Sequence, residues 1–411
     1  MAKIKAFSCI RPKKGLEKQI AALPYDVYNR EEAKAVVERE PYSFLQIDRA
    51  ETTMADDIAT YDERVYQKAN DLLWEMIEKG ELVQEEKPCY YLYEQIMNGR
   101  SQTGLVACSA VDDYLNGVIK KHENTRADKE QDRINHVNIC NAQTGPIFLA
   151  YRYNKQMAEF MQEVKQRAAM FSFVAADGIT HQAWRIDEGS EIEKITAIFD
   201  TIDYTYIADG HHRAASAVAV SKMRREENPS YTGAEEFNYF LSVLFADEEL
   251  YIMDYNRIVT DLNDLTEDTF LAKVSKKFTV EKYEKPYKPE QKGNIGMYLN
   301  KEWYKLTVKS EYENKDPVEG LDVSILQKEL LTPILGIGDI KIDKRIDFVG
   351  GIRGLAELER RVAVDAKVAF AMYPTAISEL FAVADSGRLM PPKSTWFEPK
   401  LRSGLFIHKL V

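Results

Sequence analysis

The stretch Tyr204-Thr205-Tyr206-Ile207-Ala208-Asp209-Gly210-His211-His212-Arg213-Ala214-Ala215-Ser216-Ala217 decides how the chain is read. Its opening residues are of the aromatic and β-branched kind that form strands, and the alanine-rich run from Ala214 to Val220 has the composition of a helix. One glycine lies between them, set among a carboxylate, two imidazoles and a guanidinium. A strand that turns through glycine into a helix aims backbone N–H groups and the positive end of the helix dipole at one point, where anions are favoured. Basic side chains at that end oppose the dipole by about 0.3–1 kcal/mol each unless an anion compensates. Gly210, His211, His212 and Arg213 are therefore read as a phosphate site; the plainer alternative, basic residues solvating a surface turn, leaves that cost uncompensated. Asp209 offers itself as a Mg2+ ligand bridging phosphate oxygens, or as an N-cap.

Outward from this box the pattern alternates strands and helices. Upstream, Asp62 to Lys79 carries apolar residues at helical spacing and stops at Gly80, and Glu31 to Glu40 reads as a polar helix stopped by Pro41. Cys89–Met97 and Thr103–Ser109 flank Asn98-Gly99, a strong hairpin signal. A charged run from Arg126 to Arg133 starts a helix, Gly145-Pro146 feeds a buried strand through Ala150, and Trp184–Ile186 is a further strand. Downstream, Asn228-Pro229 ends the box helix, and Tyr239–Phe245 and Leu250–Val259 read as two strands joined through Ala246–Glu249. From about Leu262 the texture changes, with a hairpin over Ile295–Val308, helices near Val323–Leu331 and Ala376–Ala384, and a closing string Met390-Pro391-Pro392-Lys393-Ser394-Thr395-Trp396-Phe397-Glu398-Pro399-Lys400.

A chain of 411 residues exceeds one ordinary core. At 45% apolar and 11% aromatic it is globular in composition, and its net charge of -11 disfavours a nucleic-acid partner, since phosphate backbones are bound by surplus Lys and Arg. No uncharged apolar run approaches the length of a membrane span and no leader peptide is evident, so a soluble, cytoplasmic protein is expected, with no membrane partner. Cys9, Cys89, Cys108 and Cys140 form no C-x-x-C pair and signal neither zinc nor disulfides. No G-x-x-x-x-G-K-[ST] or complete G-x-G-x-x-G is present, and Arg126 stands where H-E-x-x-H would need its second histidine, so P-loop, Rossmann and zinc-protease readings are unsupported.

Gly210-His211-His212-Arg213 resembles the phosphate-binding box of the ParB/sulfiredoxin superfamily, a compact α+β fold in which the box begins a helix. Sulfiredoxins carry a reactive Cys where this chain has His211, which argues against their activity, and the partition proteins are basic DNA binders, unlike this acidic chain. The form Asp209-Gly210-His211-His212-Arg213 is similar to that of the free-serine kinases of this superfamily. Those kinases also carry an upstream His-Glu pair with the Glu as base, and His122-Glu123 stands in that order here, at a longer interval that implies an insertion. The whole chain also resembles a long bacterial and archaeal family of uncharacterised function, through Pro24-Tyr25-Asp26-Val27, His122-Glu123-Asn124-Thr125, Gly145-Pro146-Ile147, the box, Asn256-Arg257-Ile258-Val259, Asp322-Val323-Ser324-Ile325-Leu326 and the Met390–Lys400 string. Pyrophosphate-dependent serine kinases resemble this longer form.

These resemblances imply an α+β fold: a ParB/sulfiredoxin-like mixed α/β core over residues 106–261, elaborated by an N-terminal α/β region, 1–105, and a C-terminal α/β region, 262–411. They imply a phosphotransferase acting reversibly on free L-serine or O-phospho-L-serine, with Mg2+ and either pyrophosphate or ATP/ADP as cofactor or second substrate. Glu123 is the expected general base, because a serine hydroxyl needs a positioned carboxylate to take its proton; His122 and Asp209 accompany it. Lys393, Ser394, Thr395 and Lys400 add cationic and donor groups suited to a phosphate or carboxylate, and Asp26 is a further candidate for the pocket. Two rival readings are a nucleotide- or metabolite-binding regulatory protein of the same fold and a phosphoserine phosphatase. The expected partner is a small molecule, with a homo-oligomer left open.

Overall fold

The computed structural model describes residues 1–411. It is α+β, and it divides into two units: Met1–Lys121, Thr125–Leu250 and Pro399–Val411 form the first, and His122–Asn124 with Tyr251–Glu398 form the second.

The first unit is organised by a nine-stranded mixed sheet. Asn98 and Gly99 take φ of 52° and 79°, the left-handed pair that a tight two-residue turn requires, and join Tyr90–Met97 to Arg100–Ala110 as an antiparallel hairpin. Along its main path the sheet runs Ile119–Lys120, Thr205–Asp209, Ile147–Tyr151, Tyr239–Ala246, Arg100–Ala110, Tyr90–Met97, Thr180–Ile186, Phe171–Val174, and Ile4–Lys5 pairs additionally with Arg100–Ala110. Arg100–Ala110 thus pairs with strands from before and after it in the chain, so the expected division at 105/106 falls inside a strand and no boundary exists there. The strand Ile147–Tyr151 lies between Thr205–Asp209 and Tyr239–Ala246 and is buried on both faces, as its unbroken apolar run requires.

Helices cover this sheet. Asp62 accepts the Arg64 N–H to start Glu63–Glu78, and Gly80 at φ 68° stops it; Asn29 and Glu32 form a reciprocal cap on Arg30–Arg39. One apolar cluster lies against the sheet around Leu149, Phe160, Phe199 and Phe240, and another gathers the N-terminal helices around Phe44, Leu45 and Leu73. The chain end returns to this unit: Ala22 and Ser403 exchange backbone hydrogen bonds of 3.2 and 2.9 Å, and His408–Lys409 pairs with Ala142–Gln143. All four cysteines are buried and unbridged.

The second unit holds a six-stranded antiparallel sheet in the order Phe278–Tyr283, Glu302–Val308, Asn294–Leu299, Val368–Ala371, Tyr255–Val259, Ile346–Gly350. The expected hairpin over Ile295–Val308 is present, turning through Asn300 and Lys301 at φ 48° and 63°. Tyr239–Ala246 and Tyr255–Val259, by contrast, belong to two different sheets, with a short turn of helix at Asp247–Glu249 between them. No helix is long and apolar enough to cross a membrane.

A buried imidazole links this fold to pH. His181 stacks between Phe173 and Tyr93, with ring centroids 5.1 and 5.9 Å away, and its Nδ1 lies 2.7 Å from the Tyr93 hydroxyl. Burial first, then the Arg402 guanidinium, push its pKa down to about 3. An unfolded histidine titrates near 6.5. Below that value the unfolded chain binds a proton the folded chain refuses, so this residue's contribution to stability is present above pH 6.5 and is lost at about 1.4 kcal/mol per unit as pH falls. Denaturant titrations between pH 6 and 4 should therefore show a shallower fall in unfolding free energy for His181→Gln than for the unsubstituted chain, by about 1.4 kcal/mol per pH unit; parallel pH profiles would contradict a neutral His181.

Candidate functional site

The box forms as a strand, a bulge, a glycine and a helix. Thr205–Asp209 pairs antiparallel with Ile147–Tyr151, but the register slips between Ile207 and Asp209, leaving Ala208 as an extra residue. Such a bulge bends the strand and re-aims the residues after it. Gly210 then takes φ 90° and ψ 33°, and its carbonyl accepts the Ala214 N–H at 2.9 Å to open the helix His211–Glu227. A side chain at this left-handed φ is strained. Gly210, rather than Asp209, occupies the N-cap, so no cap side chain satisfies the N–H groups of the first turn. Asp209 instead accepts the Gly210 N–H on Oδ1 at 2.8 Å.

A second helix begins beside the first. Arg126 caps Ala127–Cys140, and its backbone N–H donates to His212 Nε2 at 3.0 Å. At their far ends Arg224 donates to the Asn138 side chain and carbonyl, each at 3.2 Å. The two helices therefore run side by side in the same direction and present their N-termini together, which adds a second helix dipole to the one expected from the sequence. The hydrogen bond also fixes a protonation state, because a nitrogen accepting an N–H carries no proton. His212 is thus a neutral ring protonated on Nδ1, an assignment made from the hydrogen-bond network. The run of three cations expected from the sequence is not three charges.

Lys400 supplies a charge in its place. Its ammonium lies 2.8 Å from Asp209 Oδ2, although 191 residues separate them in the chain. Its carbonyl accepts from Gln95 at 2.8 Å, which anchors it. Burial disfavours an ionised Asp209, yet Lys400, Arg213 and the Gly210 N–H together hold its carboxyl well below the usual carboxylate range. With both oxygens engaged, Asp209 fits poorly as an open Mg2+ ligand and well as the anchor of Lys400.

Arg213 turns inward. Its Nη1 donates to the Pro146 carbonyl at 2.9 Å, and its guanidinium lies 5.9 Å from the Tyr25 ring. It lines a cavity of about 30 Å3 with Tyr25, Asp48, Arg133, Gly145 and Ser403. Arg133 stacks at 4.0 Å on the same ring and pairs with Asp132 at 2.8 Å, and Asp48 accepts from Thr144 at 2.9 Å. The sequence motifs at Tyr25, Gly145 and Arg213 thus meet behind the box. Asp26, in contrast, is exposed on the Pro24–Val27 turn.

The remaining candidates belong to the second unit. There the His122 carbonyl accepts the Met390 N–H at 2.8 Å, which ties the His122-Glu123 segment to the start of the Met390 string. Ser394 is buried and donates to Pro391 O at 2.6 Å, while its carbonyl accepts from Thr375 at 2.9 Å, so its hydroxyl holds the loop in shape. Lys393 takes φ 60° and lies exposed, and Thr395 beside Ser394 is half-buried. Arg257 donates to the Lys393 carbonyl at 3.0 Å and to that of Tyr255. It is buried, its contacts are carbonyls and the Phe348 ring, and burial pushes its pKa down to about 10. In the sequence Arg257 stands out only as part of a motif, as a lone arginine in an apolar strand. Arg126, Arg133 and Ser403 carry no such signal, because their roles depend on long-range packing.

The family described as Protein of unknown function (DUF1015) matches residues 4–324, a span that includes Glu123 and the box. No curated protein matches the chain. Solved structures similar to it include SbnI with C-terminal truncation from Staphylococcus aureus, at 10% identity over 71% of this chain and 82% of that one, with a TM-score of 0.38. A free serine kinase in complex with AMP shows 12% identity over 74% of this chain and 91% of that one, with a TM-score of 0.34. A conserved hypothetical protein from Pyrococcus furiosus shows 13% identity over 74% and 94%, with a TM-score of 0.35.

Replacing Gly210 tests the turn. A Cβ there would lie 3.7 Å from the Ile147 Cα, which leaves room, so the left-handed φ is the principal cost. Gly210→Ala should lower stability by about 1–2 kcal/mol in thermal or denaturant unfolding; an unchanged midpoint would contradict this geometry.

Proposed function

The chain belongs to the DUF1015 family of proteins of unknown function, and we propose that it is a phosphotransferase acting on free L-serine and O-phospho-L-serine, with pyrophosphate or an adenine nucleotide as second substrate. The observation that carries this reading is the pair of helix N-termini joined through His212 and Arg126, with Lys400 beside them. Phosphoryl transfer requires little covalent work of a protein; it requires a fixed cradle for charge on phosphate oxygens and a base aligned on the attacking hydroxyl. The first-turn N–H groups of His211–Arg213 and the Lys400 ammonium are suited to the first task, and the resemblance to the ParB/sulfiredoxin box points the same way.

Glu123 takes the second task. It lies three residues before Arg126, so the covalent chain alone limits their Cα separation to about 11 Å. In the forward direction the serine hydroxyl oxygen attacks phosphorus, its proton passes to Glu123, the new O–P bond forms, and the bridging P–O bond of the donor breaks to release phosphate or a nucleoside diphosphate. The reverse reaction uses the same groups. His122, Lys393 and Thr395 are assigned to binding and orientation, with Ser394 holding their loop in shape. Mg2+ is assigned to the donor, as the counter-ion of its phosphates, because the Asp209 carboxylate is already engaged.

Phosphorus NMR of the protein with phosphoserine and Mg2+, supplied with ADP, inorganic phosphate or no acceptor, distinguishes the readings. A loss of the phosphoserine resonance that needs an acceptor, with ATP or pyrophosphate appearing, is the expected result. Phosphate release without acceptor would make the protein a phosphatase, and binding without turnover a sensor. Glu123→Gln should reduce the transfer rate by about 100-fold or more while leaving pyrophosphate binding within a few-fold; full activity would remove Glu123 from the mechanism.

A further inference from the structure

The first unit contains a second concavity that the phosphotransferase reading does not use. It has a volume of about 420 Å3 and is walled by Ala21, Ala22, Leu23, Val36, Tyr28 and Tyr42, with Arg402 and Asp177 at its polar end. Small-molecule sites are typically of about 300–1,000 Å3, mostly apolar, with a few convergent polar groups.

Arg402 is the unusual member. It is 4% exposed, and a guanidinium so buried is costly unless held on every side. Two sides are held: Nε faces His181 Nε2 at 3.4 Å, and Nη2 pairs with Asp177. His181 is in turn hydrogen-bonded to the Tyr93 hydroxyl at 2.7 Å, so the Arg402 plane is fixed from behind by a neutral imidazole. The Nη1 group donates to no protein acceptor, and Arg402 lines the concavity. A rigid planar donor with an open edge in an apolar chamber matches the geometry of a carboxylate.

The surrounding charges select its valence. Asp177 balances Arg402, and Glu40 balances Arg39 at 3.1 Å, which leaves Lys18 as the one further cation on the wall. One surplus positive charge suits a monoanion better than a phosphate dianion. We propose that this chamber binds a small monocarboxylate with an apolar or aromatic body, its carboxylate on Arg402 Nη1 and its body against Ala22, Val36 and Tyr42. The site is independent of the box and of the reaction assigned to it.

Calorimetric titration of the full chain with indole-3-propionate tests this, with tryptamine as the ring of opposite charge. The acid should bind at one site and tryptamine at least tenfold more weakly. Val36→Trp, which adds bulk to the chamber wall from the helix Arg30–Arg39 and leaves Arg402 and Asp177 in place, should weaken the acid at least tenfold, with circular dichroism showing the fold retained. Arg402→Gln should do the same if it folds, and if it does not, Val36→Trp decides. Absence of binding by the acid at millimolar concentration, equal binding by tryptamine, insensitivity to Val36→Trp, or displacement of the acid by pyrophosphate would each overturn the proposal.

Discussion

The geometry of the box depends on one backbone constraint, the left-handed turn at Gly210 that passes a bulged strand directly into a helix. Without the extra residue at Ala208, the period-two alternation of the strand would point Asp209 to the other face of the sheet. Without positive φ at Gly210, the helix could not begin one residue later with its first N–H groups uncapped. The same turn sends Asp209 toward Lys400, and that ion pair fastens the returning C-terminal segment to the box. A local conformational demand thereby organises contacts between residues nearly two hundred positions apart.

Charge at the site is arranged differently from its order in the sequence. Of the basic residues in the run, His212 is neutral and accepts a backbone N–H, and Arg213 is directed at the Pro146 carbonyl and the Tyr25 ring. In the proposed site the positive potential offered to an anion therefore comes from two helix N-termini and Lys400, whose fixed placement would cost little reorganisation on binding. Asp209 is the counter-charge that keeps Lys400 in position. Substituting His212 and removing the charge of Lys400 are thus different experiments, even though both are basic residues in the sequence.

Much of the secondary structure is legible in the sequence because it rests on local rules. Asn98-Gly99 dictates its hairpin, Asp62 and Gly80 bound their helix, and the strand-glycine-helix order of the box follows from residue types alone. The partition of the chain is not legible, because no composition shift marks the place where Arg100–Ala110 joins strands from both sides, or where the chain end returns through Ser403. Tyr239–Phe245 and the strand after Leu250 read as neighbours since nothing between them announces a change of sheet. At the site, Lys400 is conspicuous within its string, but its partner is not; Arg126 contributes only a backbone N–H, which no side-chain pattern reveals. The bulge at Ala208 is likewise a property of pairing and not of sequence.

The proposed chemistry stands or falls with the phosphoryl group being held at the start of the helix His211–Glu227. A crystal structure of the protein soaked with O-phospho-L-serine is the decisive experiment. Phosphate oxygens are expected within hydrogen-bond distance of the backbone N–H groups following Gly210 and of Lys400 Nζ, with Asp209 still paired to that lysine. Phosphate density elsewhere, with these N–H groups facing only solvent, would contradict it.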